Sequence, residues 1–86
     1  MIEAPPDGFA GPVKRSVTIA GHATSISLEP AFWTALERAA RARGLPLSAL
    51  IAELDALRIK QRRPPNLASA IRTWLLLSRD SENSSH

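Results

Sequence analysis

The sequence predicts a mainly α-helical domain with one short β-ribbon, built from one strand of each protomer of a homodimer. Residues 24–29 alternate small polar and apolar side chains, which is the period-two pattern of a strand. From Phe32 the apolar residues recur at helical spacing, and no second strand follows Glu29. A lone strand leaves both of its edges unpaired, and the same strand of a second copy supplies a partner.

Length and composition favour one small domain that gains stability by association. The chain has 86 residues, of which we expect 14–79 to fold between a flexible leader (1–13) and a flexible tail (80–86). A core this small is commonly supplemented by oligomerisation. Cysteine is absent, which excludes disulfides and thiolate metal sites. No signal-peptide pattern or membrane-length apolar run occurs, so we expect a soluble, cytoplasmic protein without membrane contact.

The segment before the strand leaves two arrangements open. Residues 14–20 are rich in β-branched side chains, and Gly21-His22 has the composition of a turn or bulge. This segment either folds back on residues 24–28 as a hairpin or extends as an arm. The connection lacks a strong two-residue turn signature, so the sequence does not choose between them.

Three helices are predicted after the strand. The first runs from about Pro30 to Arg43, with proline in the first turn and Gly44 as its terminator. The second covers about residues 47–58, and a basic, proline-ended linker follows over 59–65. Asn66 is the N-cap of a third helix over about 67–79. The apolar faces of the strand and first two helices predict a dimer core of Ile26, Leu28, Phe32, Trp33, Leu36, Leu50, Ile51 and Leu54.

The third helix carries more apolar surface than an exposed helix should show. Its apolar residues are Leu67, Ile71, Trp74, Leu75, Leu76 and Leu77. We expect this surface, Trp74 included, to pack on the first two helices or on the partner chain.

Three motifs at fixed separation resemble one known family. They are Thr24-Ser25-Ile26-Ser27-Leu28, Phe32-Trp33-x-x-Leu36 and Gly44-Leu45-x-x-Ser48-Ala49-Leu50-Ile51. Together they resemble the ribbon-helix-helix superfamily of DNA-binding proteins, the Arc/MetJ group. The segments 14–22 and 66–72 narrow the resemblance to a small bacterial subfamily whose role is mostly unassigned, and the similarity covers about residues 14–78.

The resemblance implies an obligate dimer that inserts an antiparallel ribbon into the major groove of DNA. The positions that match the base-facing residues of the family are Ala23, Ser25 and Ser27. The backbone amides of Leu47 and Ser48 match the family's phosphate site, and a helix N-terminus is independently suited to an anion. Serine discriminates bases less sharply than Arg, Asn or Gln, so we expect modest sequence selectivity.

Basic residues are the candidates for contacts with the phosphate backbone of DNA. The formal net charge is +3 and the sequence pI is near 10.6. Arg38, Arg41 and Arg43 crowd the first helix, where a solvated surface and a nucleic-acid contact remain equally open. Further phosphate contacts are predicted for Lys14, Arg15, Arg58, Lys60, Arg62 and Arg63.

The leading functional prediction is a dimeric, sequence-selective regulator of transcription that binds double-stranded DNA. The alternative is a protein-interaction module or antitoxin-like adaptor that binds a second protein through the third helix. We expect no enzyme, metal or cofactor, because His22 and His86 are far apart without companion ligands and no glycine-rich phosphate loop occurs.

Overall fold

Two antiparallel strands are followed along the chain by three helices. The computed structural model describes residues 1–6 and 8–84, with side chains as far as residue 79. The strands are β1 (Val13–Ile19) and β2 (His22–Leu28), and the helices are α1 (Pro30–Ala42), α2 (Leu47–Ile59) and α3 (Leu67–Ser84). The predicted ribbon followed by helices is confirmed.

Both strands of the ribbon come from the same chain. β1 pairs with β2 in an antiparallel register that places Val13 opposite Leu28 and Ile19 opposite His22. Of the two arrangements open for residues 14–20, the structure shows the hairpin. The reasoning that the strand has no partner within the chain was therefore wrong, because β1 precedes it and occupies one edge. Pairing between protomers stays a prediction.

A two-residue turn closes the hairpin. Ala20 has a φ of 50° and Gly21 a φ of 83°, which are the positive values of a type I′ turn. Glycine adopts this conformation freely, whereas the Cβ of Ala20 makes it unfavourable. The turn lies one residue earlier than the predicted Gly21-His22, since His22 already belongs to β2.

The ends of the helices follow local sequence signals. Past Ala42, Gly44 has a φ of 66° and Leu45 donates its N–H to Ala40 O at 2.9 Å, which is the hydrogen bond of a Schellman motif. Asn66 caps α3 by accepting the N–H of Ser69 on Oδ1 at 2.8 Å.

Two helix ends lie beyond their predicted positions. α2 includes Ile59, which was assigned to the linker, and α3 continues past Arg79 to Ser84. Residues 80–84 contain neither glycine nor proline, so nothing in their backbone chemistry stops a helix. The helix therefore extends through residues 80–84 of the predicted tail, whose flexibility stays a prediction, and residues 85 and 86 lie outside the described residues.

The hydrophobic core lies between the hairpin and all three helices of one chain. Seven of the eight predicted core residues are buried, and Phe32 is half-buried. The burial of each large side chain contributes about 1.5–3 kcal/mol to folding. The contribution of β1, which is Val17 and Ile19, was not predicted, whereas Ile71 and Leu75 of α3 are buried as expected for a third helix that packs on the first two. These residues cover the predicted core, so its burial does not depend on a second chain.

The apolar surface of α3 is only partly covered. Ile71 is fully buried and Trp74 is half-buried, whereas Leu76 and Leu77 remain 60% and 61% exposed. Leu57 on α2 is similarly exposed. In the part of the chain that the structure describes, no helix has the length and apolar character needed to cross a membrane.

The turn predicts a stabilising substitution. Ala20→Asn should raise the free energy of unfolding by about 1 kcal/mol, because asparagine tolerates a positive φ and Asn-Gly is the preferred type I′ pair. Urea unfolding followed by circular dichroism measures the change. Ala20→Val is the matched control and should destabilise the protein. An Ala20→Asn variant that is less stable than the parent would contradict the turn assignment.

Candidate nucleic-acid interface

The hairpin presents one polar face away from the core. Alternation along the strands directs Val17, Ile19, Ile26 and Leu28 into the core. The opposite face is built from three cross-strand pairs, namely Lys14 with Ser27, Ser16 with Ser25, and Thr18 with Ala23. Ser27 is half-buried and the other five are exposed. This outer face is a strip of short hydroxyl side chains with one lysine at the end opposite the turn.

The strip contains the predicted base-facing residues and two that sequence reasoning missed. Ala23, Ser25 and Ser27 share the outer face as expected from their alternation. Ser16 and Thr18 lie directly opposite two of them, so hydroxyl groups occupy both strands. Their alternation with Val17 and Ile19 was visible in the sequence, but only the pairing with β2 turns it into a shared surface. Such hydroxyls donate to and accept from base edges.

Lys14 and Arg15 lie on opposite faces, although they are neighbours in sequence. Lys14 is exposed on the outer face. Arg15 lies on the helix side, where Nη1 contacts Glu37 Oε1 at 2.8 Å and Cζ lies 4.5 Å from the centroid of the Trp33 ring. Trp33 Nε1 in turn donates to Val13 O at 2.9 Å. Arg15 and Trp33 therefore attach β1 to α1, while only Lys14 adds charge to the strip.

The start of α2 has the features of an anion site. Pro46 is the N-cap and supplies no side-chain oxygen. Its carbonyl accepts the N–H groups of Ala49 and Leu50 at 3.0 and 3.2 Å, so the first amides left over are those of Leu47 and Ser48. Leu47 also lines a shallow surface depression with Arg15 and Arg41. The same depression contains Glu37, the ion-pair partner of Arg15, so the cation near Leu47 that has no such partner is Arg41, which was not assigned to the interface.

The basic run after α2 divides into a structural residue and three exposed ones. Arg58 contacts Asp55 Oδ1 through Nε at 2.9 Å and through Nη2 at 2.8 Å, and its Nη1 donates to Pro65 O at 3.0 Å. Arg58 therefore holds the linker against α2. Lys60, Arg62 and Arg63 are exposed. Among the described residues, no hydrogen bond or ion pair joins these three side chains to the hairpin.

An ion pair holds α3 against the end of the hairpin. Arg72 contacts Glu29 Oε1 through Nε at 3.0 Å and Nη2 at 2.9 Å, and Nη2 lies 3.5 Å from Ser27 O. Its Cζ is 5.6 Å from the centroid of the Phe32 ring. The pKa of Glu29 is lowered, first by a hydrogen bond from its own backbone N–H and then by Arg72. This corner fixes the direction in which the chain leaves β2 and enters α1.

Comparison with known protein families matches residues 12–78 to the Ribbon-helix-helix domain. The match spans most of the chain, so the protein belongs to the ribbon-helix-helix family. Members of this family are in general DNA-binding, non-enzymatic regulators that act as dimers. No curated protein and no solved structure matches the chain.

The Glu29–Arg72 pair predicts a measurable titration. In the folded protein the carboxyl of Glu29 should titrate below its ordinary pKa of 4.5, and Arg72→Gln should raise that pKa without fully restoring it, since the backbone hydrogen bond remains. The folded pKa is the lower one, so the stabilisation is complete above the ordinary value and is lost as the pH falls through the lowered value. An NMR titration of the Glu29 side-chain carboxyl measures its pKa in the parent protein and in Arg72→Gln. An unchanged midpoint in Arg72→Gln would contradict the role of Arg72.

Proposed function

We propose that the protein is a dimeric regulator of transcription that inserts the outer face of its hairpin into the major groove of DNA. The observation that carries the proposal is the strip formed by Ser16, Thr18, Ser25 and Ser27 with Lys14 at its end, in a chain of a DNA-binding family. A two-stranded ribbon has the width of the major groove, and hydroxyl groups reach base edges. A cytoplasmic location is part of this proposal, because a bacterial regulator meets its DNA there.

Phosphate contacts supply most of the affinity in this proposal. The amides of Leu47 and Ser48 hold one phosphate, and Arg41, which lines the same depression as Leu47, adds charge beside them. Arg15 contributes less than predicted, because its guanidinium is paired with Glu37. Lys14 contacts a second phosphate from the outer face, and Lys60, Arg62 and Arg63 add charge from the linker. Arg58 contributes less than predicted, because its guanidinium is already shared between Asp55 and Pro65.

The dimer is proposed to form through the outer edge of β2. The two-residue turn makes Ile19 and His22 a hydrogen-bonded pair, so the backbone groups of Ala23, Ser25 and Ser27 point away from β1. The 3.5 Å approach of Arg72 Nη2 to Ser27 O agrees with this direction. Antiparallel pairing of two such edges doubles the serine strip around a twofold axis.

The second candidate function is a protein-interaction module that uses α2 and α3. Leu57 and Leu77 are 55% and 61% exposed and line a groove together with Leu54 and the half-buried Trp74. In this alternative the groove binds a second protein, and the hairpin is a structural element only.

The DNA proposal predicts a charge-specific loss of binding. Ser25→Glu should abolish binding, because the side chain is exposed and the new carboxylate faces phosphates. Ser25→Gln is the matched control of the same size and should retain binding. Lys14→Ala should weaken binding to all sequences and lower the salt slope by about 0.9. Fluorescence anisotropy at several salt concentrations measures these effects. Equal affinities of Ser25→Glu and Ser25→Gln would exclude the hairpin as the DNA-contacting surface.

The dimer proposal predicts a difference between two proline variants. Ser25→Pro removes an outward N–H from β2 and should lower the dimer fraction, while the hairpin persists because that N–H does not serve β1. Ser16→Pro is the matched control at the outer edge of β1 and should leave the dimer intact. Sedimentation measures the mass of each variant. A dimer that survives Ser25→Pro but dissociates in Leu57→Ser would instead place the interface at the α2–α3 groove.

A further inference from the structure

A groove of about 400 Å³ lies between α1 and α3, away from the outer face of the hairpin. Its floor consists of Ala35, Ala39 and Ala42, which recur along one side of α1. The facing wall comes from α3 and includes Leu75 and the half-buried ring of Trp74. The three small side chains leave room between the helices, and the walls of that space combine apolar side chains with the hydroxyl of Ser78 and with arginines.

Three guanidinium groups surround the groove. Arg38 reaches it from α1, Arg43 from the C-cap of α1 and Arg79 from α3, and no acidic residue is among the lining residues whose side chains the structure describes. Arg43 is held in place, since Nη1 donates to Ala39 O at 3.1 Å and Cζ lies 4.9 Å from the centroid of the Trp74 ring. The ion pairs found among the described side chains use Arg15, Arg58 and Arg72, and none of these three arginines.

This combination is unfavourable for the protein alone and favourable for a bound anion. Like charges around one groove repel, and solvent screens part of that repulsion because all three arginines are exposed. An anion relieves the repulsion and accepts charge-assisted hydrogen bonds from guanidinium groups. The alanine floor and the face of the Trp74 ring offer contact to an apolar body, and the hydroxyl of Ser78, which also lines the groove, can donate a hydrogen bond to an anion. The volume falls within the range of about 300–1,000 Å³ that is usual for small-molecule sites.

We infer that this groove binds a small organic anion, with a carboxylate or phosphate group held by Arg38, Arg43 and Arg79 and an apolar body on Ala39 and Trp74. The inference uses none of the residues proposed for DNA contact. It therefore stands or falls independently of the proposed function, and it gives Arg38 and Arg43 a role that the DNA proposal leaves open.

Two dyes that differ in one charged group test the inference. Anilinonaphthalenesulfonate carries a sulfonate on an aromatic body, and phenylnaphthylamine is the same body without the charge. The parent protein should bind the anionic dye at least about tenfold more tightly, as expected when hydrogen bonds to a charged group are added. Dye fluorescence without DNA present measures both affinities. Equal affinities would overturn the inference, since they would indicate a purely apolar patch.

Variants locate the dye. Arg38→Gln/Arg79→Gln should weaken the anionic dye about tenfold or more and leave the neutral dye unchanged. Arg62→Gln/Arg63→Gln removes the same charge outside the groove and is the matched control, which should change neither. Ala42→Leu, at an exposed position of the floor, should fill the groove and weaken both dyes. Circular dichroism confirms that each variant folds. Equal losses in the two arginine pairs would show a net-charge effect and overturn the site.

Further experiments distinguish an organic anion in the groove from inorganic phosphate and from a second copy of the chain. An aromatic carboxylate should displace the dye, whereas inorganic phosphate at the same concentration should displace it poorly because phosphate lacks an apolar body. Displacement by phosphate alone to the same extent would overturn the apolar part of the site. Loss of dye binding in step with dimer formation, measured by sedimentation across protein concentrations, would show that a second copy covers the groove and would overturn the small-molecule assignment.

Discussion

The pairing of β1 with β2 within one chain is the interaction on which the rest of the structure depends. It aligns Val17 and Ile19 beside Ile26 and Leu28, so that one face of the hairpin closes the core against the helices. The same pairing sets Ser16 opposite Ser25 on the other face. One set of hydrogen bonds therefore determines both what is buried and what is presented, because strand residues alternate between the two faces.

Alternation also decides which basic residues are available for a ligand. Arg15 and Arg72 are both adjacent to the ribbon, yet each is committed to an acidic partner and an aromatic ring on the helix side. They hold β1 and α3 to α1 and so stabilise the presented face without forming it. The positive charge that remains lies at Lys14, around the start of α2, in the linker, and around the groove between α1 and α3.

Sequence reasoning predicted the elements whose signals are local. The alternation of residues 24–28, the proline at position 30, Gly44 and the Asn66 cap each act within a few residues, and the structure has an element or boundary at each. The end of α3 was placed too early, because polar composition was taken as a stop although no glycine or proline interrupts the helix. The sequence did not decide between a hairpin and an extended arm for residues 14–20, because Ala20-Gly21 is a weak turn signature. Formation of the hairpin depends on the pairing and burial of residues that are distant in sequence.

The sequence by itself determined the ribbon-helix-helix order, the inward residues of β2 and the first two helices, and the outward positions of Ala23, Ser25 and Ser27. These follow from periodicity, which needs no knowledge of what each element packs against. Only the tertiary structure decided that β1 is the partner of β2, that Arg15 and Arg58 are tied to Glu37 and Asp55, and that Arg38, Arg43 and Arg79 share one groove. Each of these depends on a contact between elements, and the period of a single element contains no information about the distance to another.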